Sequence, residues 1–159
     1  YIMGNKCLGI NENRIDQNIP LDLDKKLVPK YIPQIERGRV LYVYDGDTIH
    51  IAGRVKYNPE IFKFSLRLNR LDCPEMTSKN SEEREMAELA KKYIQDRIEY
   101  KFVELQNVKL DKYGRLLAEV FCNGDNINQE LIDKHLAVEY DGGTKKPPSS
   151  WKKYYEECH

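Results

Sequence analysis

The pattern that most restricts the fold is a two-residue alternation on either side of Asp45-Gly46. Val40, Tyr42 and Tyr44 alternate into this pair, and Thr48, His50 and Ala52 alternate with Ile49 and Ile51 after it. Successive side chains of a strand point to opposite faces, and Asp-Gly suits a type I′ turn, so this stretch is expected to form a β-hairpin. Phe62, Phe64, Leu66 and Leu68 continue the alternation as a third strand that carries Arg67 on its opposite face and stops at Pro74. Asn80 or Ser81 can then cap a helix with Glu82, Glu83 and Glu85 in its first turns and an inward stripe of Met86, Leu89, Ala90, Tyr93, Ile94 and Arg97.

Two more strand-like stretches, Tyr100 to Val108 and Arg115 to Cys122, flank Asp111-Lys112-Tyr113-Gly114, which reads as a loop. Asn123-Gly124-Asp125 turns the chain into a short helix around Ile127 to His135, with Leu131 and Ile132 inward. The stretch after Pro147-Pro148, from Ser149 to His159, suits one or two helical turns. Tyr42, Tyr44, Tyr93 and Tyr100 fall at strand or helix positions and are assigned to the core, and His50, His135 and His159 lack any partner pattern.

A chain of 159 residues suits one domain plus an arm. Residues 1–35 carry Pro20, Pro29 and Pro33 among Asn, Asp and Lys without sustained periodicity, so they are assigned to an extended N-terminal arm and residues 36–159 to the folded domain. Basic and acidic residues number 26 each. That balance leans against a strong non-specific polyanion binder, although Lys109, Lys112 and Arg115 gather positive charge around one motif.

No apolar run reaches the length of a membrane span and no start resembles a secretion signal, so a soluble, intracellular monomer without an obligate protein partner is expected. Cys7, Cys73, Cys122 and Cys158 are scattered without C-x-x-C spacing, which indicates neither a zinc site nor a disulfide framework. Met3-Gly4-Asn5-Lys6-Cys7 looks like an acylated N-terminus, but Leu8 stands where Ser or Thr is expected, so membrane association through it is the lesser alternative.

Three short motifs carry the chemistry: Asp45-Gly46-Asp47-Thr48, then Arg67-Leu68-Asn69-Arg70-Leu71-Asp72-Cys73-Pro74-Glu75, then Asp111-Lys112-Tyr113-Gly114-Arg115. Each has a bland explanation when isolated: a turn, a solvated acid, a surface ion pair. Together they supply the parts of a metal-dependent phosphodiesterase. Asp47 and Asp72 can hold a hard cation, and two acids brought together favour calcium over zinc. Asp45 stands behind them or reaches the cation through a water. Glu75 can move a proton or position a water, and Arg67 and Arg115 can each grip a phosphate through two bonds.

From about Arg39 to Tyr140 these motifs resemble the staphylococcal nuclease (thermonuclease) family. The resemblance implies an α+β fold, an OB-type five-stranded Greek-key β-barrel with two or three flanking helices, and calcium-dependent cleavage of DNA and RNA with little sequence preference. It places the family's functional Asp, Arg, Asp, Glu and Arg on Asp47, Arg67, Asp72, Glu75 and Arg115. It also implies that Cys73, where the family usually has Thr, offers its backbone carbonyl to the metal; a thiol there would expose the site to oxidation or soft metals. Lys112 and Tyr113 are similar to the family's contacts to a terminal phosphate, and Tyr140 lies near tyrosines that pack on a base. The alternative is a non-catalytic binding module on the same fold.

Overall fold

A computed structural model describes residues 22–158, so the acylation-like segment and Cys7 lie outside the described residues. The chain divides into two units, Tyr1–Tyr31 and Ile32–His159. Of the first, the described part contains a turn in which Leu27 N donates to Asp24 O at 2.9 Å.

The second unit is built on a barrel. The hairpin forms as β1 (Arg37–Val43) and β2 (Thr48–Gly53), and β3 (Phe62–Leu68) pairs antiparallel with β2. After β4 (Leu71–Asp72) and helix α1 (Ser81–Ile98), β5 (Phe102–Leu110) returns to pair antiparallel with β1, and β6 (Leu116–Cys122) with β5. A parallel pairing of β3 with β6, Leu66 against Leu116 and Leu68 against Ala118, closes the ring. The result is the expected five-stranded OB-type barrel, with three helices beside it. The strand β7 (Asp125–Asn126) leads into α2 (Ile127–Asp133), and β8 (Val138–Glu139), paired with β4, precedes α3 (Trp151–Glu156).

The inward faces of the strands supply Val40, Ile49, Ile51, Leu66, Leu68, Val103, Leu116 and Val120, all buried. Each such aliphatic side chain contributes about 1.5–3 kcal/mol when fully removed from water. Helix α1 packs Met86, Ala87, Ala90, Ile94 and Ile98 inward, while Leu89 stays on its exposed flank. Its N-cap is Asn80, whose side chain accepts from Glu82 N; Asn126 and Ser150 cap α2 and α3 in the same way.

Two expectations fail for identifiable reasons. The β1–β2 register shifts between Val40 and Tyr42, so Val43 turns into the core and Tyr42 and Tyr44 face outward, Tyr42 stacking on His50 at 4.3 Å. Tyr100 is also exposed, at the left-handed turn (φ 62°) between α1 and β5; Tyr93 alone of the four packs against the core, its hydroxyl donating to Glu130. The Asp45-Gly46 pair also does not make a type I′ turn, which requires positive φ at both central residues, because neither residue has positive φ. Instead Tyr44 N and Asp45 N both donate to Thr48 O, and Asp47 N donates to Asp45 Oδ1.

Candidate active site

The hairpin delivers Asp47 to the end of the barrel where β3 finishes. Thr48 pairs with Arg67, and Leu68 N donates to Asp47 O at 2.8 Å, so Asp47, just ahead of β2, stands beside the end of β3. The chain then turns through Asn69 and Arg70, the latter at φ 64°, and returns as β4 carrying Asp72. Buried Asn128 of α2 braces that turn, donating to Asn69 O at 2.8 Å while its Oδ1 accepts from Val120 N at 2.9 Å.

Arg67 bridges the two acids. Its Nη1 donates to Asp47 Oδ1 at 2.6 Å and its Nη2 to Asp72 Oδ1 at 2.9 Å, and each carboxylate side chain is 6% exposed. Asp47 also accepts from Thr48 Oγ1 at 3.0 Å and from Cys73 N at 3.4 Å. Burial nevertheless pushes its carboxyl up to about 6; Arg67 opposes that rise and Asp45 adds to it. The charge on Arg67 is held more firmly than usual, since Asp47 and Asp72 outweigh the effect of burial.

Glu75 differs in kind. Its side chain is 57% exposed and accepts from the Lys145 ammonium, which also reaches Asp72 Oδ1 at 2.9 Å. Its backbone is tied to α1, with Glu75 N donating to Glu83 Oε1 at 3.1 Å.

The third motif forms the β5–β6 hairpin tip. Asp111 Oδ1 accepts from Tyr113 N and Arg115 N, and its Oδ2 from Arg115 Nε at 2.7 Å, which leaves both terminal guanidinium nitrogens of Arg115 clear of that pair. Burial works against the Asp111 charge, but these donors hold its carboxyl below the ordinary value. Tyr113 stands exposed, with the Lys112 ammonium 5.0 Å from its ring centre and the Arg115 guanidinium at 5.7 Å. Arg115 directly precedes Leu116, which pairs with Leu66 of β3, so the third motif leads into the strand that lies beside Arg67.

The geometry thus gathers Asp45, Asp47, Arg67, Asp72, Cys73 and Glu75, and sets Lys112, Tyr113 and Arg115 on the neighbouring hairpin. Tyr140 sits beside the β3–β4 turn: its N donates to Arg70 O, and it lines a cavity of about 350 Å³ with Asn69, Arg70, Asn128, Gln129 and Lys146. Lys145 was missed from sequence, where a Lys-Lys pair in a glycine-containing loop gives no sign of partners some 70 residues away. The Cys73 thiol is buried, and burial, then Asp47, Asp45 and Asp72, push its ionisation well up.

Among the described residues no three His, Cys, Asp or Glu side chains converge as a metal cage. The available donors are oxygens, and the two near-buried acids already draw in the Arg67 and Lys145 cations, so the residues fit a hard cation completed by solvent or substrate. No helix among the described residues is long and apolar enough to cross a membrane.

Residues 65–157 match the family described as staphylococcal nuclease homologue, more than half of the chain and every motif residue except those of Asp45–Thr48. An uncharacterized protein of Bacillus anthracis is 41% identical over 101 residues, covering 62% of this chain and 44% of that protein. A probable endonuclease of Schizosaccharomyces pombe is 33% identical over 85 residues, covering 49% and 37%. An uncharacterized endonuclease of Haemophilus influenzae is 31% identical over 102 residues, covering 64% and 51%. The chain therefore spans about half or less of the length of these relatives. Asp47 lies upstream of the matched segment, yet it shares the Arg67 fork with Asp72 inside it, and barrel, acid pair and match together make this chain a member of the staphylococcal nuclease homologue family.

Proposed function

We propose that the domain is a calcium-dependent phosphodiesterase that hydrolyses DNA and RNA with little sequence specificity and favours single strands. The observation that carries this is the pair of near-buried carboxylates, Asp47 and Asp72, held on one guanidinium with Glu75 three residues further along. Family membership and the names of the Schizosaccharomyces and Haemophilus relatives support nuclease chemistry.

Asp47 and Asp72 would hold the cation, with the Cys73 carbonyl, and Asp45 would support it from behind or through a water. Bound there, calcium supplies Lewis-acid polarisation of a phosphoryl oxygen. Glu75, exposed and three residues after Asp72, orients the attacking water or takes its proton. Arg67 and Arg115 stabilise the charge that grows on the phosphate; of the five N–H donors of Arg67 two are engaged by the carboxylates, and the others serve phosphate oxygens. Lys112 and Tyr113 take a terminal phosphate, and Tyr140 meets a base. Backbone contact and stacking of this kind are tolerant of sequence.

The second reading is a non-catalytic nucleic-acid- or protein-binding module. It is favoured by the engagement of the Arg67 fork with Asp47 and Asp72, and of Glu75 with Lys145. Digestion of a single-stranded DNA oligonucleotide with calcium, and again with excess chelator, separates the two. Chelator-sensitive cleavage is expected; a pure protein that binds the strand and leaves it intact in calcium would favour the module.

A further inference from the structure

Lys145 lies in the segment between β8 and α3, and both ends of that segment are anchored. Tyr140 N donates to Arg70 O at 3.0 Å at one end. Ser150 Oγ donates to Glu82 Oε1 at 2.7 Å at the other, followed by buried Trp151. Within it Gly142 adopts φ +92° and Gly143 N donates to Asp141 Oδ1, a local reversal of the chain. The Lys145 ammonium thereby spans Asp72 and Glu75, and on Asp72 it uses the same Oδ1 that accepts from Arg67.

On the calcium reading above, we propose that Lys145 is an internal counter-ion of the active site: its ammonium holds the place of the divalent cation on Asp72 and must leave before that cation binds. Four carboxylates, Asp45, Asp47, Asp72 and Glu75, face two cations, Arg67 and Lys145. Two of those acids are nearly out of water, where unneutralised charge is costly. An exposed ion pair would be worth little, and the Lys145 side chain is itself 44% exposed; Asp72 at 6% is what gives the contact its strength. A tethered single charge is always present at the site, so it raises the calcium concentration needed to fill it. Its departure also releases Glu75 from their ion pair.

Calcium binding to the full chain, measured by titration calorimetry at fixed ionic strength for the parent, Lys145→Met and Lys146→Met, tests this without any turnover. Lys145→Met should bind calcium on the order of tenfold more tightly, since the competing charge is gone. Lys146→Met, whose lysine lines the Tyr140 cavity, should stay within about twofold of the parent. Lys145→Gln serves as a second variant should the methionine protein fail to fold, and either variant should gain more thermal stability from calcium than the parent does. Equal or weaker calcium binding by the Lys145 variants, or equal tightening by Lys146→Met, overturns the inference while leaving the calcium reading intact. If the folded parent and all variants take up no calcium, the metal reading falls and this inference with it.

Discussion

Gly46 lies against Cys73 so closely that a Cβ built on it would stand 3.0 Å from both Cβ and Sγ of that residue, and 3.0 Å from Ala90 Cβ on α1. The glycine is required here for close approach, since its φ is not positive. It locks the loop carrying Asp47 onto the segment carrying Asp72. Gly46→Ala should therefore destabilise the fold by about 1–3 kcal/mol. It should also weaken calcium binding, because the two acids are pushed apart. Denaturant unfolding and calcium titration of the same protein check both effects; a fold and affinity unchanged from the parent would mean the contact yields freely.

Calcium should support cleavage and magnesium should do so poorly. On the proposed site, two buried carboxylates with the Cys73 carbonyl would form an incomplete all-oxygen shell, which a large cation with flexible coordination tolerates and one demanding tight octahedral geometry does not. Initial rates on a single-stranded oligonucleotide in each metal decide this, and equal rates or activity in excess chelator would rule the site out.

Glu75→Gln should lower turnover by on the order of a hundredfold or more while calcium and strand binding persist. The side chain is more than half exposed, so loss of its ion pair with Lys145 should move the melting temperature little. Turnover within a few-fold of the parent would remove Glu75 from the chemistry.

Arg115→Lys distinguishes a transition-state contact from general attraction. Arg115 spends its Nε on Asp111 and keeps two terminal nitrogens for a phosphate, whereas a lysine has one ammonium for both tasks. The catalytic rate should fall by on the order of a hundredfold, with substrate binding weakened far less. Collapse of binding with the rate intact would make Arg115 an anchor.

Removing residues 1–31 should leave calcium-dependent cleavage of a short oligonucleotide largely intact, because every proposed catalytic group lies from Asp45 onward. Extending the deletion through Ile35 should destabilise the barrel by about 2–4 kcal/mol. Ile35 is buried, and its Cδ1 lies 2.5 Å from where a Cβ on Gly53 would stand. Circular dichroism melts and the cleavage assay on both truncations check the pair of outcomes; a folded 1–31 deletion that binds calcium without cleaving would show that the arm completes the site.

Strand alternation, helix caps and the motif residues themselves were legible in the sequence, because each depends on neighbours within a turn or on a fixed two- or 3.6-residue period. Thus Leu66 and Leu68 face inward with Arg67 outward, and Asn80 caps α1, as the local pattern requires. Which side Tyr42 and Val43 face was not legible, since one bulge after Val40 inverts every later position of the strand. Nor were the Arg67 bridge, the burial of Cys73 among three acids, the seat of Tyr140 beside Arg70 or the arrival of Lys145. Those contacts exist only once the β3–β6 pairing closes the barrel and the β4–β8 pairing brings the segment after β8 back beside the strand that carries Asp72. Local periodicity encodes the face on which a side chain stands, whereas the charges and packing it meets there are set by segments that tertiary structure alone brings together.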